Sequence, residues 1–564
     1  MKRWLRGLLF ALLLAGVGSA AAAAPPAPAT KPGHAAVASA HRLATEAGLE
    51  VLAKGGNAFD AAVAVASTLA VVEPQSSGLG GGFFMLIHRA ADGREVMVDA
   101  REVAPAAVDA KIYVNADGTP NRDAAINGPT SAGIPGEPAG LAWVAAHYGR
   151  LPLKASLAPA IRIARNGYKP DARFLGDLVE RRDVVARYPA SAALLLTADK
   201  QVPKEGWVFR QPDLARTLER IAAEGADGFY KGDTARELVD SARAAGGNWT
   251  LEDLAGYRVK EREPLRFDFR GWRIVTAAPP SSGGVALAEI FNILRGFDLA
   301  AMPAAQRYHV IIEAMRRAFR DHNEYLGDPD FVKMPLDMLL SPYYADGLRA
   351  SILPDKATPS SMLPPALAHD PGTDTTHFSI IDRDGNMVAC TSTVNLAFGS
   401  AFVAGRTGVI LNNEMDDFAL VPGAPNAFGL LGNKANAPAP GKRMLSSMSP
   451  TFVFGKDRVG VIGTPGGSTI ITQVFEGILA FMEGKPAAEI TAQPRYHHQY
   501  LPDLVFVEPH AFDDATARAL QDMGYTFKQR HGWGFMNVVT WDLRTNRLDA
   551  ASDPRGVSGL GKVQ

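Results

Sequence analysis

The first part of the chain carries two different hydrophobic patterns. Residues 40–73 have apolar positions at helical spacing that are interrupted by Gly55-Gly56, so they predict two helices, the second apolar nearly all round and therefore buried. Residues 83–88 and 95–100 predict two strands, joined by a turn at Ala91-Asp92-Gly93. Because a lone hairpin is barely stable in water, we expect these strands to join later strands in a common sheet.

The pattern changes twice further along. Residues 135–350 are mostly of helical spacing, and residues 353–371 are rich in proline. A β-hairpin is then predicted from residues 376–381 and 387–394. Further strands are predicted at 407–411, 450–454, 458–462, 503–507 and 535–541, and helices at 468–483 and 513–523.

The N-terminal residues have the pattern of a secretory signal peptide. Lys2, Arg3 and Arg6 precede an apolar run at residues 8–17 that is too short to span a bilayer, and alanines with A-x-A-like cleavage sites follow. A retained membrane anchor is the alternative. We expect residues 1–24 to be removed and the mature protein to be soluble, and periplasmic or secreted.

Composition and short motifs exclude several classes of function. The formal net charge of −1 leaves no basic footprint for nucleic acid. The single cysteine, Cys390, rules out an internal disulfide and lies in an apolar run typical of a buried hydrophobe. Gly78 to Gly82 lacks the spacing of a phosphate loop, and the adjacent His497-His498 cannot easily share one metal ion.

One segment indicates catalysis. Asp374-Thr375-Thr376-His377 lies where the proline-rich segment meets the predicted hairpin; taken alone, it is an ordinary strand start. A threonine hydroxyl is a weak nucleophile that needs an adjacent base. A cut before Thr375 would free its α-amino group, whose pKa near 8 suits a general base, whereas in the uncut chain that nitrogen is an amide. His377 would stand roughly 6–7 Å further along the strand, too far to bond the hydroxyl directly.

Motifs along nearly the whole chain identify it as a member of the γ-glutamyltranspeptidase family. They occur in the family's order and are specific when taken together. The motifs are Gly55-Gly56-Asn57-Ala58-Phe59-Asp60-Ala61-Ala62, Asp99-Ala100-Arg101-Glu102-Val103-Ala104-Pro105, Thr375-Thr376-His377-Phe378-Ser379, Leu411-Asn412-Asn413-Glu414-Met415-Asp416-Asp417-Phe418, Arg443-Met444-Leu445-Ser446-Ser447-Met448-Ser449-Pro450, Pro465-Gly466-Gly467-Ser468, Pro494-Arg495-Tyr496-His497-His498-Gln499 and Ser552-Asp553-Pro554-Arg555.

The resemblance implies a fold and a maturation step. The fold is α+β, an αββα sandwich of the N-terminal-nucleophile hydrolase type, built jointly from both fragments of an autocleaved precursor. Cleavage between Asp374 and Thr375 would leave a helix-rich large subunit of residues 25–374 and a strand-rich catalytic small subunit of residues 375–564. Thr375 would first attack the carbonyl group of Asp374.

The same resemblance assigns the catalytic roles. Thr375 is the nucleophile, Thr393 orients it, and the backbone N–H groups of Gly466 and Gly467 form the oxyanion hole. Only residues without side chains let two N–H groups approach an oxyanion so closely, and losing one such donor costs about 10²–10³ in rate. No metal or organic cofactor is implied.

The substrate's γ-glutamyl group carries a free α-carboxylate and a free α-ammonium. The resemblance assigns the carboxylate to Arg101, Ser446 and Ser447, and the ammonium to Asn395, Glu414 and Asp417. An arginine fork suits a carboxylate better than lysine does. Residues 422–441 correspond to a lid over the site, with Phe428 where the family often has a tyrosine.

The implied activity is cleavage of the γ-glutamyl amide of glutathione and related compounds, through an ester on Thr375. Water, an amino acid or a dipeptide then takes the acyl group, so the partners are small molecules and the other subunit of the same precursor. Two alternatives stay open: a β-lactam (glutaryl or cephalosporin) side-chain acylase on the same scaffold, and a non-catalytic γ-glutamyl-binding protein. Glu414 and Asp417 count against the acylase, and the complete catalytic set counts against the binding protein.

Overall fold

The structure is a computed structural model that describes residues 29–363, 374–421, 424–430 and 433–564. The signal-peptide prediction for residues 1–24 lies outside the described residues, as do parts of the proline-rich and lid segments. Among the described residues, none of the helices combines the length and apolarity that crossing a bilayer requires.

The strands are β1 Ala36–Ser39, β2 Gly82–Arg89, β3 Arg94–Ala100, β4 Lys260–Arg262, β5 Leu265–Phe269, β6 Trp272–Thr276, β7 Thr376–Ile381, β8 Met387–Thr393, β9 Thr451–Phe454, β10 Arg458–Gly463, β11 Tyr496–His497, β12 Val505–Val507, β13 Phe527–Gln529, β14 Asn537–Asp542, β15 Arg547–Ser552 and β16 Leu560–Val563. The α-helices are α1 Arg42–Ala53, α2 Ala58–Val72, α3 Arg122–Ile126, α4 Glu137–Tyr148, α5 Leu153–Asn166, α6 Ala172–Val185, α7 Pro189–Leu195, α8 Pro212–Glu224, α9 Asp227–Tyr230, α10 Gly232–Ala244, α11 Leu251–Gly256, α12 Gly283–Leu294, α13 Ala304–Tyr325, α14 Leu336–Leu339, α15 Pro342–Ala350, α16 Thr469–Met482, α17 Ala487–Ala492 and α18 Asp514–Asp522.

Two antiparallel sheets stack face to face between helices. The first has the order β16-β1-β7-β8-β2-β3-β4 and the second the order β15-β14-β10-β9-β6-β5. Helices α1 and α2 cover the outer face of the first sheet, and α16 and α17 pack on the second, with α12 against α16. These four layers are the αββα sandwich that the resemblance implies.

Burial on both faces explains why residues 83–87 of β2 are all apolar. Phe83, Met85 and Ile87 belong to the core shared with the outer helices, whereas Phe84 and Leu86 belong to the core between the sheets. Successive side chains of a strand point to opposite faces, so a strand buried on both sides has no polar positions to alternate. The first sheet is thus one of the two inner layers of the molecule.

The two early helices form as expected. Asn57 caps α2 by accepting hydrogen bonds from the backbone N–H groups of Phe59 and Asp60, and the Asp60 carboxylate accepts one from the N–H of Asn57 in return. Every residue of α2 is buried. The Asp382 carboxylate also accepts a hydrogen bond of 2.9 Å from the N–H of Ala58, which ties the start of α2 to the turn between β7 and β8.

The predicted β-hairpin is confirmed as β7 and β8, with Thr376 paired to Ser392. The early strands β2 and β3 do join this sheet, with β2 beside β8. Both sheets interleave segments from before and after Thr375, because β1 lies between β16 and β7, and β6 lies beside β9. Two fragments cut at Thr375 would therefore share both sheets.

Some strand predictions were wrong. Residues 407–411 form no strand, because Gly405 and Gly408 take positive φ values and a 3₁₀ turn occupies Gly405–Thr407. The helical prediction for residues 135–350 missed β4, β5 and β6. Residues 503–507 contain β12, which lies in a separate small sheet with β11 and β13.

Candidate active site

Thr375 lies directly before β7, which is an interior strand of the first sheet between β1 and β8. Its hydroxyl donates a hydrogen bond of 3.3 Å to Oγ1 of Thr393, at the end of the neighbouring strand β8. The Thr393 oxygen also accepts a 2.7 Å hydrogen bond from the backbone N–H of Asn395, which fixes its position. With its bond to Asp374 intact, Thr375 has a φ of +133°, a strained conformation for a residue other than glycine.

Thr375 opens into a cleft of ≈ 540 Å³. Nine other residues singled out from the sequence line the same cleft: Arg101, Thr393, Asn395, Glu414, Asp417, Phe428, Ser446, Ser447 and Gly467. Gly466 and Asp374 precede Gly467 and Thr375 but do not themselves line it. Chain segments more than 300 residues apart therefore line one cleft.

A buried charge cluster forms one part of the cleft. The two terminal nitrogens of Arg101 each lie 2.6 Å from a carboxylate oxygen, one from Glu414 and the other from Asp417. Glu102, which sequence analysis did not single out as a site residue, lies 3.5 Å from the same guanidinium group. Three carboxyl groups therefore surround one cation, and a second cation would complement the cluster.

Burial and crowding set the ionisation of this cluster. Burial raises the pKa of Glu414 to about 8, against the opposing effect of Arg101, and it raises the pKa of Glu102 to about 8 as well. Burial and the neighbouring Glu414 raise the pKa of Asp417. These shifts favour protonated carboxyl groups in the cluster near neutral pH, and a bound ammonium group would favour loss of a proton.

Gly466 and Gly467 lie just before Ser468, the N-cap of α16, and have φ values of +136° and +57°. A Cβ atom would lie 2.6 Å from Thr469 Oγ1 at Gly466 and 2.4 Å from the Phe428 ring at Gly467, so neither position admits a side chain without rearrangement. The amino end of a helix carries partial positive charge and exposed N–H groups. This loop is therefore suited to stabilise a developing oxyanion beside Thr375.

The two serines are held by their neighbours. The Ser446 carbonyl oxygen accepts hydrogen bonds from the N–H and the hydroxyl of Ser282, at 2.7 and 2.8 Å. The Ser446 hydroxyl oxygen accepts a 3.2 Å bond from the N–H of Met448, and the carbonyl of Ser447 accepts one of 2.8 Å from Ser449. These bonds fix the loop while both serines line the cleft.

The described part of the lid is bonded to the charge cluster. The Asn426 side chain donates a 3.1 Å hydrogen bond to Asp417, and the N–H of Ala427 donates one of 2.7 Å to Asp416. Phe428 is buried and lies against Gly467. Sequence analysis missed Asn426 and Asn436 as cleft residues, because amides in a loop rich in proline and glycine give no distinguishing signal.

Both ring nitrogens of His377 lie within hydrogen-bond distance of neighbouring hydroxyl groups. Its Nδ1 lies 2.8 Å from the Thr391 hydroxyl, its Nε2 lies 3.2 Å from the Ser379 hydroxyl, and its ring packs on Gly463. Burial lowers the pKa of His377 to about 3, so the ring stays neutral at ordinary pH. Among the described residues, no three or more His, Cys, Asp or Glu side chains are grouped to hold a metal ion.

The pH dependence should differ between the two kinetic constants. We expect kcat to rise with the single ionisation of the freed α-amino group of Thr375, whose ordinary pKa is near 8. We expect kcat/KM, which reports the free enzyme, to rise more steeply, because Glu414 is neutral below its raised pKa of about 8 and only its charged form binds an ammonium group. Initial rates measured from pH 5 to 10 test this; identical single-ionisation profiles would contradict it.

The fold and the cleft together define the class of the protein. An αββα sandwich with a threonine at the start of a central strand is the architecture of the N-terminal-nucleophile hydrolases. The structure superposes on a cephalosporin acylase from Bacillus halodurans with a TM-score of 0.82 and 30% identity, covering 95% of this chain and 96% of that one. It also matches Helicobacter pylori γ-glutamyltranspeptidase, with a TM-score of 0.56 and 40% identity over 58% of this chain and 93% of that one.

Sequence comparison identifies the family. The family model described as Gamma-glutamyltranspeptidase matches residues 44–562. The chain is 39% identical to the glutathione hydrolase proenzyme of Escherichia coli strain K12, over 99% of this chain and 98% of the relative. It is 41% identical to the corresponding proenzyme of Pseudomonas sp. strain A14, over 93% of each. The chain belongs to the γ-glutamyltranspeptidase family.

Proposed function

We propose that this protein is an autocleaved γ-glutamyl hydrolase and transferase that carries its acyl group on Thr375. One observation carries the proposal: a guanidinium group and two carboxyl groups, from Arg101, Glu414 and Asp417, share a cleft with the Thr375 hydroxyl. An α-amino acid group has the complementary charges. As the family resemblance implies, the Arg101 fork binds the α-carboxylate together with Ser446 and Ser447, and Glu414, Asp417 and Asn395 bind the ammonium group.

Maturation comes first. The Thr375 hydroxyl attacks the carbonyl carbon of Asp374, the Asp374–Thr375 amide bond breaks, and an ester forms in its place. Water then hydrolyses that ester, which leaves residues 25–374 and 375–564 as separate subunits. The positive φ of Thr375 supports this step, because cleavage would release backbone strain of about 1–3 kcal/mol.

Turnover uses the amine that cleavage frees. The amine takes the hydroxyl proton as Thr375 attacks the γ-carbonyl carbon, and the N–H groups of Gly466 and Gly467 stabilise the oxyanion. The same proton passes to the leaving amine as the amide bond breaks, which gives a γ-glutamyl ester. Water or an acceptor amine then attacks the ester and restores the hydroxyl group.

The relatives support the finer assignment. The name glutathione hydrolase proenzyme, carried by the Escherichia coli and Pseudomonas relatives, supports glutathione as the donor and a precursor that is cut in two. We also propose that the protein is exported to the periplasm or the medium, on the signal-peptide pattern of residues 1–24. An amino acid or a dipeptide serves as the acceptor.

Donor preference separates this function from its nearest rival. The structural similarity to a cephalosporin acylase makes a side-chain acylase the main alternative function. Such an enzyme would accept a glutaryl group, which lacks the ammonium group. We expect purified protein to prefer γ-glutamyl anilide to glutaryl anilide by about 10⁴ in kcat/KM, because buried carboxyl groups are left unpaired by the analogue. Equal turnover would favour the acylase, and binding of γ-glutamyl compounds without turnover would favour the non-catalytic alternative.

A further inference from the structure

One buried side chain in the cleft has no part in the chemistry described so far. His322, near the end of α13, lines the same cavity as Thr375 and is only 3% exposed. Its ring stacks on Phe319, with ring centroids 5.6 Å apart and an interplanar angle of 28°. Its Nδ1 lies 2.9 Å from Oδ1 of Asn323. Among the described residues, nothing forms a hydrogen bond with Nε2 of His322.

The contacts of His322 define what its free nitrogen can bind. Burial lowers the pKa of His322 to about 4, so the ring is neutral at ordinary pH. Because the Asn323 oxygen accepts, Nδ1 carries the hydrogen and Nε2 presents a lone pair. A buried acceptor without a donor is unfavourable and rare in folded proteins. In a ligand cleft, a bound group with an N–H or O–H supplies the missing donor.

The lid links His322 to the charge cluster. Asn426 bonds to Asp417 at the cluster, whereas the Asn433 side chain donates a 2.5 Å hydrogen bond to the carbonyl oxygen of Asn323, next to His322. Two apolar side chains that lie between Asn426 and Asn433 in sequence, Phe428 and Leu430, also line the cleft. The charged groups are assigned to the γ-glutamyl part of a substrate. The part of the cleft lined by Phe428, Leu430 and His322 is then left for the amine, which is the leaving group of the donor or the acceptor.

We propose that Nε2 of His322 accepts a hydrogen bond from the amide N–H that follows the reacting amine in a dipeptide acceptor. This rests on the proposed function. The dipeptide that leaves γ-glutamylcysteinylglycine has an amide N–H in the same position, so one contact serves both. The lone pair on Nε2 of His322 would repel the carboxylate group of a free amino acid acceptor. His322 therefore favours dipeptides over free amino acids, whose carboxylate would stand in place of the amide. It is a positioning residue and moves no proton.

A pair of matched acceptors tests the contact. Glycylglycine and its ester analogue glycylglycolate both offer the same amine, but only the peptide has the N–H. We expect wild-type protein to transfer the γ-glutamyl group to the peptide with a kcat/KM at least tenfold above that for the ester, and His322→Phe to lower this ratio to about one. His322→Gln, which keeps an acceptor oxygen, should recover part of it. Taking the ratio within each variant cancels any change in acyl-enzyme formation.

The controls separate packing from the hydrogen bond. His497 also packs against Phe319, but its nitrogens lie 2.9 Å from Thr472 and Gln499, so His497→Phe should leave the ratio at its wild-type value. If His322→Phe does not mature, His322→Leu gives the same readout. An unchanged ratio in the His322 variants would overturn the assignment. Failure of the proposed function would look different, because wild-type protein would then release no anilide from the γ-glutamyl donor.

Discussion

Thr375→Ala should remain a single uncut chain and lose activity on γ-glutamyl anilide by on the order of 10⁴-fold or more. The Thr375 hydroxyl is the only group proposed to attack in both maturation and turnover, so its loss removes both steps. The methyl group of alanine fits where threonine stood, and the Thr393 hydroxyl keeps its bond to the N–H of Asn395. Denaturing electrophoresis and the rate of anilide release measure the two effects.

Thr375→Ser is the matched control, because serine keeps the hydroxyl and the α-amino group. We expect it to be cut at the same bond and to retain measurable activity. The smaller fragment should begin at residue 375 in both the wild-type and the serine proteins. An alanine variant that is cut normally, or a wild-type protein that stays whole and is fully active, would contradict the role of Thr375.

Asp417→Asn should lower kcat/KM for γ-glutamyl anilide by roughly 10²–10³-fold while cleavage stays complete. The change removes one negative charge from the cluster around Arg101, and losing one partner of a buried charged pair costs about 2–5 kcal/mol. The asparagine oxygen can still accept from Arg101, so the fold should be preserved. Steady-state kinetics of the cut variant give the value.

The neighbouring acid is the control for this variant. Asp416 is buried, but it pairs with Arg122 at 2.8 Å and accepts from the N–H of Ala427, outside the charge cluster. Asp416→Asn keeps an acceptor oxygen for the lid, and we expect a change in kcat/KM of tenfold or less. Equal losses in the two variants would indicate a general effect of the lid, and no loss in Asp417→Asn would remove Asp417 from substrate binding.

The sequence predicted an element correctly where the hydrophobic pattern of the segment matches its burial in the folded protein. Helix α2 and strand β2 are buried on all sides, so their apolar runs are long and were assigned correctly. The segment 407–411 has the apolar residues of a strand, but glycines at 405 and 408 turn the backbone. Strands β4 to β6 were missed because a long helical stretch surrounds them and each is only three to five residues long.

The site residues also differ in how far the sequence alone could identify them. Thr375 lies at a strand start and the glycine pair lies before a helix, and these ordinary positions gained catalytic roles only through the family resemblance. The convergence of Arg101 with Asp417 could not be derived from spacing, because 316 residues separate them, and it came only through the family's motifs. His322 gave no signal, since a histidine within an amphipathic helix is ordinary until the fold places it in the wall of a cleft.

Direct detection of the acyl group tests the central claim most closely. Wild-type protein is mixed briefly with a γ-glutamyl donor, quenched in acid, digested and analysed by mass spectrometry. We expect one γ-glutamyl group on the peptide that begins at Thr375, held as an ester on its side chain, and its loss when glycylglycine is added before the quench. Turnover without any adduct on that peptide, or an adduct on another residue that forms and decays at the catalytic rate, would contradict the account.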